Sequence, residues 1–303
     1  MDFPRRNQPV CRQVDRRSGD GVDLAVRPTS WSTTFITLVG IFPTLHEPKT
    51  TGVQATKTSL RIVSAIEERG GTATITELAG ELELAKSTVY KHLLTLETAG
   101  VVVAGDDGYR LGLRCLNLGG IARRYDGVYE IARPEVRKMA DETGELANLM
   151  FEEGGLGTYV YTARGERAID VDTRLGQRVY LHTTALGKAL LSSLPDDRVT
   201  EIVDEHGLPA ETEATITDRE ELFAELEEIR EEGFAFNREE RVGGLGCVAA
   251  PIDTGDRRNA AISIMTPISR LTADRSESLY TDVLGQTANV IELNLAHAGE
   301  WQA

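Results

Sequence analysis

A regular period of apolar residues sets in only after Thr58. Leu60, Val63 and Ile66 stand three residues apart, which places them on one face of a helix, and Gly70-Gly71 ends it. Thr74-Ile-Thr-Glu77 then has the form of a capping box, in which the Thr74 hydroxyl caps the helix and the Glu77 carboxylate reaches back. The short helix it opens turns Leu78, Ala79 and Leu82 inward. After a connector at Glu83-Leu84-Ala85, residues 86–99 repeat apolar positions at Val89, Leu93 and Leu96. That is the i, i+4, i+7 pattern of a one-sided helix, and Gly100 suits its C-terminal stop. Val101-Val-Val103 and Tyr109-Arg-Leu111 flank Asp106-Asp107-Gly108, a hairpin whose Asp-Gly step supplies the turn.

Residues 118–143 read as helical, interrupted near Asp126-Gly127 and closed by Thr143-Gly144. Pro134 disfavours a helix interior, so it is expected to start a new helix or to kink one. Beyond it, strands are expected at 148–151, 157–163, 167–173 and 177–180, then helices at 184–193 and 196–205. Thr217-Asp-Arg-Glu220 is a second capping box; it opens a helix with Leu222, Leu226 and Ile229 inward and Gly233 at its end. Strands at 234–236, 246–252 and 260–266 and a helix over 276–296 complete an α+β arrangement, a sheet with helices grouped against it.

Helix, helix, turn, helix, hairpin is the order of a winged helix-turn-helix, whose third helix offers its outer face to a DNA major groove. On that face and its first turn lie Lys86, Ser87, Thr88, Tyr90, Lys91 and Thr95. The lysines can neutralise phosphates or donate to guanine, the hydroxyls can bond phosphates or base edges, and Tyr90 can reach phosphate or sugar. The expected plan is an N-terminal arm over 1–54, disordered or a misplaced start of translation, and a winged helix-turn-helix over 55–116. A linker helix over 117–144 and an effector-binding domain over 145–300 follow.

A net charge of −15 sits awkwardly with DNA binding until it is mapped. Residues 1–50 carry +2, residues 51–126 sum to zero, and residues 127–303 carry −17. The acidity therefore belongs to the part that need not touch DNA, and the reading head should bind non-specifically with low affinity. An acidic surface also suits a salt-rich cytoplasm, and with it a haloarchaeal source. No apolar run reaches the roughly 18–20 residues that span a bilayer. Three cysteines without a CxxC pair exclude a disulfide framework and a structural zinc site, and dispersed histidines give no metal site. The expectation is a cytoplasmic protein with no cofactor and no membrane partner.

These blocks resemble the IclR family of transcriptional regulators over about residues 55–298. The head matches in Ile75-Thr-Glu-Leu-Ala79, Lys86-Ser-Thr-Val-Tyr-Lys91 and Tyr109-Arg-Leu-Gly-Leu113. The remainder matches in Leu181-His-Thr-Thr-Ala-Leu-Gly-Lys-Ala-Leu190, Gly233-Phe-Ala-Phe-Asn-Arg-Glu-Glu240, Gly246-Cys-Val-Ala-Ala-Pro251 and Ala261-Ile-Ser-Ile-Met-Thr-Pro267. The resemblance implies a GAF-like α/β effector-binding domain, a homodimer or dimer of dimers, a palindromic double-stranded DNA operator, and control by a small molecule such as a sugar acid or organic acid. It places the pocket at Ala185, Leu186, Asn237, Cys247, Ser263 and Met265. Members that bind small keto acids tend to carry an acidic residue where Asn237 stands and a serine where Met265 stands, so their ligands do not transfer.

Two other readings compete. Cys247 and His182 could form the nucleophile and base of a thiol hydrolase, if the fold brought them together. The head could instead serve protein contacts without an operator. The Gly243-Gly-Leu-Gly246 cluster precedes a strand rather than a helix, so it reads as a tight turn that can border the pocket, not as a nucleotide loop.

Overall fold

The computed structural model of the protein describes residues 52–171, 173–271 and 276–300, without the side chains of 276, 277, 299 and 300. The N-terminal arm, up to residue 51, lies outside the described residues.

The first unit of structure is α1 (Gln54–Glu68), β1 (Thr72–Ala73), α2 (Ile75–Glu81), α3 (Lys86–Thr98), β2 (Val102–Gly105) and β3 (Gly108–Leu111). The three strands form one antiparallel sheet in the order β1-β3-β2. The Thr74 capping box is present in full: Glu77 donates its N–H to Thr74 Oγ1 at 3.3 Å, and Glu77 Oε2 accepts the Thr74 N–H at 2.8 Å. Ile62, Ala65, Ile66, Leu78, Val89, Leu93 and Val102 form the small core. The inward face of α1 is thus rotated from the one the apolar spacing suggested. Leu60 is 52% exposed and Val63 half-buried, because α2 and α3 pack over Ile62 and Ala65 instead. The hairpin turn also shifts by one residue. Gly105 pairs with Gly108, so Asp106-Asp107 is the turn and Gly108 belongs to β3. Gly108 is required there for another reason. Its φ is +121°, and a Cβ would stand 2.6 Å from the carbonyl oxygen of Ala73 in β1, a strand the apolar pattern did not announce.

Then come α4 (Arg114–Arg123) and α5 (Val128–Thr143), joined through Gly127 at φ +78°. Pro134 neither starts a helix nor ends one: it lies inside α5, on its exposed side. The rest is β4 (Leu146–Glu153), β5 (Leu156–Arg164), β6 (Arg178–Tyr180), a short 3-10 turn (Leu181–Thr183), α6 (Ala185–Ser192), α7 (Asp196–His206), α8 (Arg219–Glu232), β7 (Ala235–Arg238), β8 (Leu245–Ile252), β9 (Ala260–Pro267), α9 (Ile268–Leu271) and α10 (Ser276–Glu300). Strands β6-β5-β4-β9-β8-β7 make one antiparallel sheet. Helices cover both of its faces, α5 and α10 on one and α6 with α8 on the other.

Two expectations fail in this half. The strand expected over 167–173 does not form, because β6 takes the edge of β5, while Arg167 gives its N–H to Gly144 O at 2.7 Å. The cap of α8 is Asp218 rather than Thr217, with Asp218 Oδ1 accepting the Glu221 N–H at 3.0 Å. Leu222, Leu226 and Ile229 nevertheless all face inward.

Candidate functional sites: an exposed helix face and a pocket beside the sheet

Helix α3 is held by Val89 and Leu93, both fully buried, and by His92, whose Nδ1 lies 2.8 Å from Ser59 Oγ on α1. Its opposite side is mostly polar, with Leu94 half exposed among the polar residues. Lys86, Ser87, Tyr90, Lys91 and Thr95 are exposed and Thr88 is half-buried; Thr95 returns its hydroxyl to the Lys91 carbonyl at 3.1 Å. The helix opens on Ala85, which has no side-chain cap to offer, so first-turn N–H groups remain for an anion. The hairpin tip, in contrast, is Asp106-Asp107, which phosphate would repel. Of the two, the start of α3 is thus the element suited to an anion, and the tip of the hairpin is not.

The second site lies where α6 meets the sheet. Thr184 Oγ1 caps α6 by accepting the N–H of Gly187 at 2.9 Å, which leaves the N–H groups of Ala185 and Leu186 for a ligand. Gly187 has to be glycine, since a Cβ would stand 2.1 Å from the Leu181 carbonyl. In front of this helix end is a small pocket, partly open to solvent. Ala185, Leu186, Asn237, Cys247 and Met265 all line it, and so does Gly246 of the glycine cluster. Ser263 does not: it is buried in β9 close to the Cys247 thiol, with its Oγ in no aligned hydrogen bond. Asn237 is turned into the protein, where Nδ2 donates to Thr183 O at 2.7 Å and Oδ1 accepts the Glu240 N–H at 3.3 Å.

The pocket also has members that the apolar pattern did not single out. Tyr159 reaches it from β5, and Val171 and Thr173 come from the loop expected to be a strand. Arg241 stands one residue beyond the block that ends at Glu240, and among the described residues it is the one charged side chain on the lining. It rides on a loop held tight by Glu239, whose φ is +67° and whose carboxylate accepts the Gly244 N–H at 2.6 Å. Behind the pocket Lys188 is fully buried. Its ammonium donates to Glu225 and to Glu240, whose two oxygens lie 2.9 and 2.7 Å away. Burial pushes the Glu240 carboxyl up and the Lys188 charge opposes it. The lysine thus ties α6 and α8 to the loop that carries Arg241.

The Cys–His pair a thiol hydrolase needs is not assembled. His182 is buried with Nε2 3.1 Å from Pro209 O, and burial holds its pKa below the usual value. Burial pushes the Cys247 thiol up to about 12, opposed by the Ser263 hydroxyl, so it stays protonated at neutral pH. Among the described residues no hydrogen bond joins the two. Nor does any group of three His, Cys, Asp or Glu side chains gather there as metal ligands. No helix among them is long and apolar enough to cross a membrane.

Residues 58–105 match the IclR helix-turn-helix domain, and residues 124–293 match the bacterial transcriptional regulator IclR C-terminal domain. The chain belongs to the IclR family. It is 31% identical over 245 residues to the "Probable HTH-type transcriptional regulator ArcR" of Halobacterium salinarum, covering 79% of this chain and 93% of that one. It is likewise 31% identical over 227 residues to the HTH-type transcriptional repressor AllR of Escherichia coli, covering 74% and 84%. The crystal structure of Thermotoga maritima IclR superposes with a TM-score of 0.64 at 31% identity, over 79% of this chain and 98% of that one. The α+β class expected from the pattern is that of its structural relatives, and the chain is a metabolite-responsive, DNA-binding transcriptional regulator.

Proposed function

We propose that this IclR-family regulator reads a palindromic operator with Lys86, Ser87, Thr88, Tyr90, Lys91 and Thr95, and that an organic or sugar acid in the pocket beside α6 controls it. The observation that carries the DNA assignment is the division of α3 into a packed side and a polar side with two lysines. The assignment of the pocket to the effector rests on the convergence of Ala185, Leu186, Asn237, Cys247 and Met265 on one cavity at a helix N-terminus. Ser263 supports it from behind, through the Cys247 thiol.

The exposed face of α4 supports a homodimer, or a dimer of dimers. That helix buries none of its residues, and Leu116, Leu118 and Ile121 on it, with Leu113 before and Tyr125 after it, are exposed. Such a face is costly in water and suits a second copy of the chain. Effector binding would then favour one arrangement of the dimer and so set the separation of the two heads, which must match half-sites about one helical turn apart or a multiple of it. The genes controlled would be catabolic, for a sugar or organic acid, and the protein would act in the cytoplasm as a regulator and not as an enzyme.

The test is fluorescence anisotropy on the DNA fragment upstream of its own gene. Lys91→Ala combined with Tyr90→Ala should weaken specific binding by at least about tenfold. Binding that survives the double substitution removes α3 as the reader.

A further inference from the structure

Arg241 is held by an incomplete set of partners. Its Nη1 donates to the Tyr159 hydroxyl at 3.3 Å, a long bond, and its Nε lies 3.3 Å from Glu211 Oε2 without an aligned hydrogen bond. The side chains of Arg241 and Glu211 are 11% and 6% exposed, so the pair is largely dry. Arg241 and Tyr159 line the pocket and Glu211 does not. The guanidinium therefore stands between two places from which a carboxylate can approach, one inside the chain and one in the cavity. A planar five-donor fork binds a carboxylate best with two parallel bonds, which Glu211 does not supply in this geometry.

Building on the assignment of this pocket to the effector, we propose that Glu211 is an internal occupant of the Arg241 guanidinium, and that a ligand carboxylate displaces it. Exchange needs no bond made or broken beyond hydrogen bonds and ion pairs: Arg241, with Tyr159, turns from the chain's own carboxylate to the ligand's. The released Glu211 belongs to a loop that is already hydrogen-bonded to the segment that carries Arg241. Thr212 Oγ1 donates to the carbonyls of Glu239 and Glu240 at 2.9 and 3.0 Å, and Thr215 Oγ1 donates to Glu240 O at 2.5 Å. Glu240 in turn holds Lys188. Displacement of Glu211 thus acts on the loop that ties the pocket to the buried lysine, which gives the ligand something in the protein to change.

Exchange predicts opposite signs for two substitutions that break the same ion pair. Binding of benzoate, pyruvate and gluconate, each beside its neutral amide, is measured by calorimetry on the full chain. At least one acid should bind, its amide should not, and Arg241→Gln should weaken the acid by about tenfold or more. Glu211→Gln should tighten the same acid severalfold, and Tyr159→Phe should weaken it modestly. Circular dichroism melts show that each variant is folded; should Arg241→Gln fail to fold, Arg241→Lys keeps the charge without the fork and should also weaken binding. The proposal is overturned when Glu211→Gln and Arg241→Gln change affinity in the same direction, since the pair then serves only structure. It is equally overturned when amides bind as well as acids, or when no acid binds either the wild type or Glu211→Gln. A pocket that takes a neutral ligand, with operator affinity responding to it, would keep the effector assignment and remove the exchange alone.

Discussion

The two faces of the six-stranded sheet are built from the same strands and differ in nearly everything else. Toward α5 and α10 point Ala147, Leu149, Phe151, Val160, Val248, Ala250, Ile262 and Ile264, all within one apolar cluster. Polar groups on that side gather at one end, where Glu145 accepts from Tyr280 and pairs with Arg270 at 3.1 Å. Toward α6 and α8 the same strands turn Met150, Tyr159, Cys247, Ala249, Ala261 and Met265, and between them Asn148 and Ser263. Asn148 is fully buried with its Nδ2 unpartnered, although Oδ1 accepts the Thr162 hydroxyl at 3.0 Å. Two long helices close the first face. On the second the eight-residue α6 lies against the strands with α8 packed on it, and the N-terminal end of α6 leaves room for a pocket. One face is closed along its length, and the other leaves an open pocket at the end of a short helix.

The largest test of that contrast is Lys188→Ala. It would leave Glu240 buried without its partner, and the expected loss of stability in urea melts is about 4 kcal/mol. A loss under about 1 kcal/mol would mean that water reaches this cluster and that the second face is looser than its burial indicates. Next in size is Ile262→Ala on the apolar face, with an expected loss of about 3 kcal/mol and acid binding retained once the protein is folded. Loss of ligand affinity in proportion to stability would show that the two faces are not separable. The smallest effect is expected from Asn148→Leu. It removes an unpartnered donor along with the acceptor for Thr162, and the two changes offset to within about 1 kcal/mol. A cost as large as that of Ile262→Ala would show that Asn148 holds a structural water or a ligand group.

Periodicity made the reading head legible almost residue by residue, because each short element there carries its own start and stop. The Thr74 capping box and the glycine after α3 both act through neighbours in sequence. The errors came where a distant element decides. Ile62 rather than Leu60 faces inward because of how α2 and α3 cross α1, and β1 exists because β3 offers it an edge. In the sensor half the same division holds. The caps of α6 and α8 could be read to within a residue, whereas the 167–173 segment lost its strand to β6 in competition for one edge.

The sequence by itself determined most of the order of elements, the segregation of acidity away from the head, the polar positions of α3 and the family. It also pointed to five of the residues that line the pocket, through blocks that resemble the family. Only the tertiary structure decided that Tyr159 and Arg241 meet across that pocket, that Glu211 stands behind them, and that Lys188 is wholly buried between two carboxylates. The reason is physical. Local signals such as caps and turns act over about four residues or fewer, while the partners of a buried charge come from helices, strands and loops 37 to 82 residues away. Nothing in the spacing of a single arginine records which carboxylate will reach it.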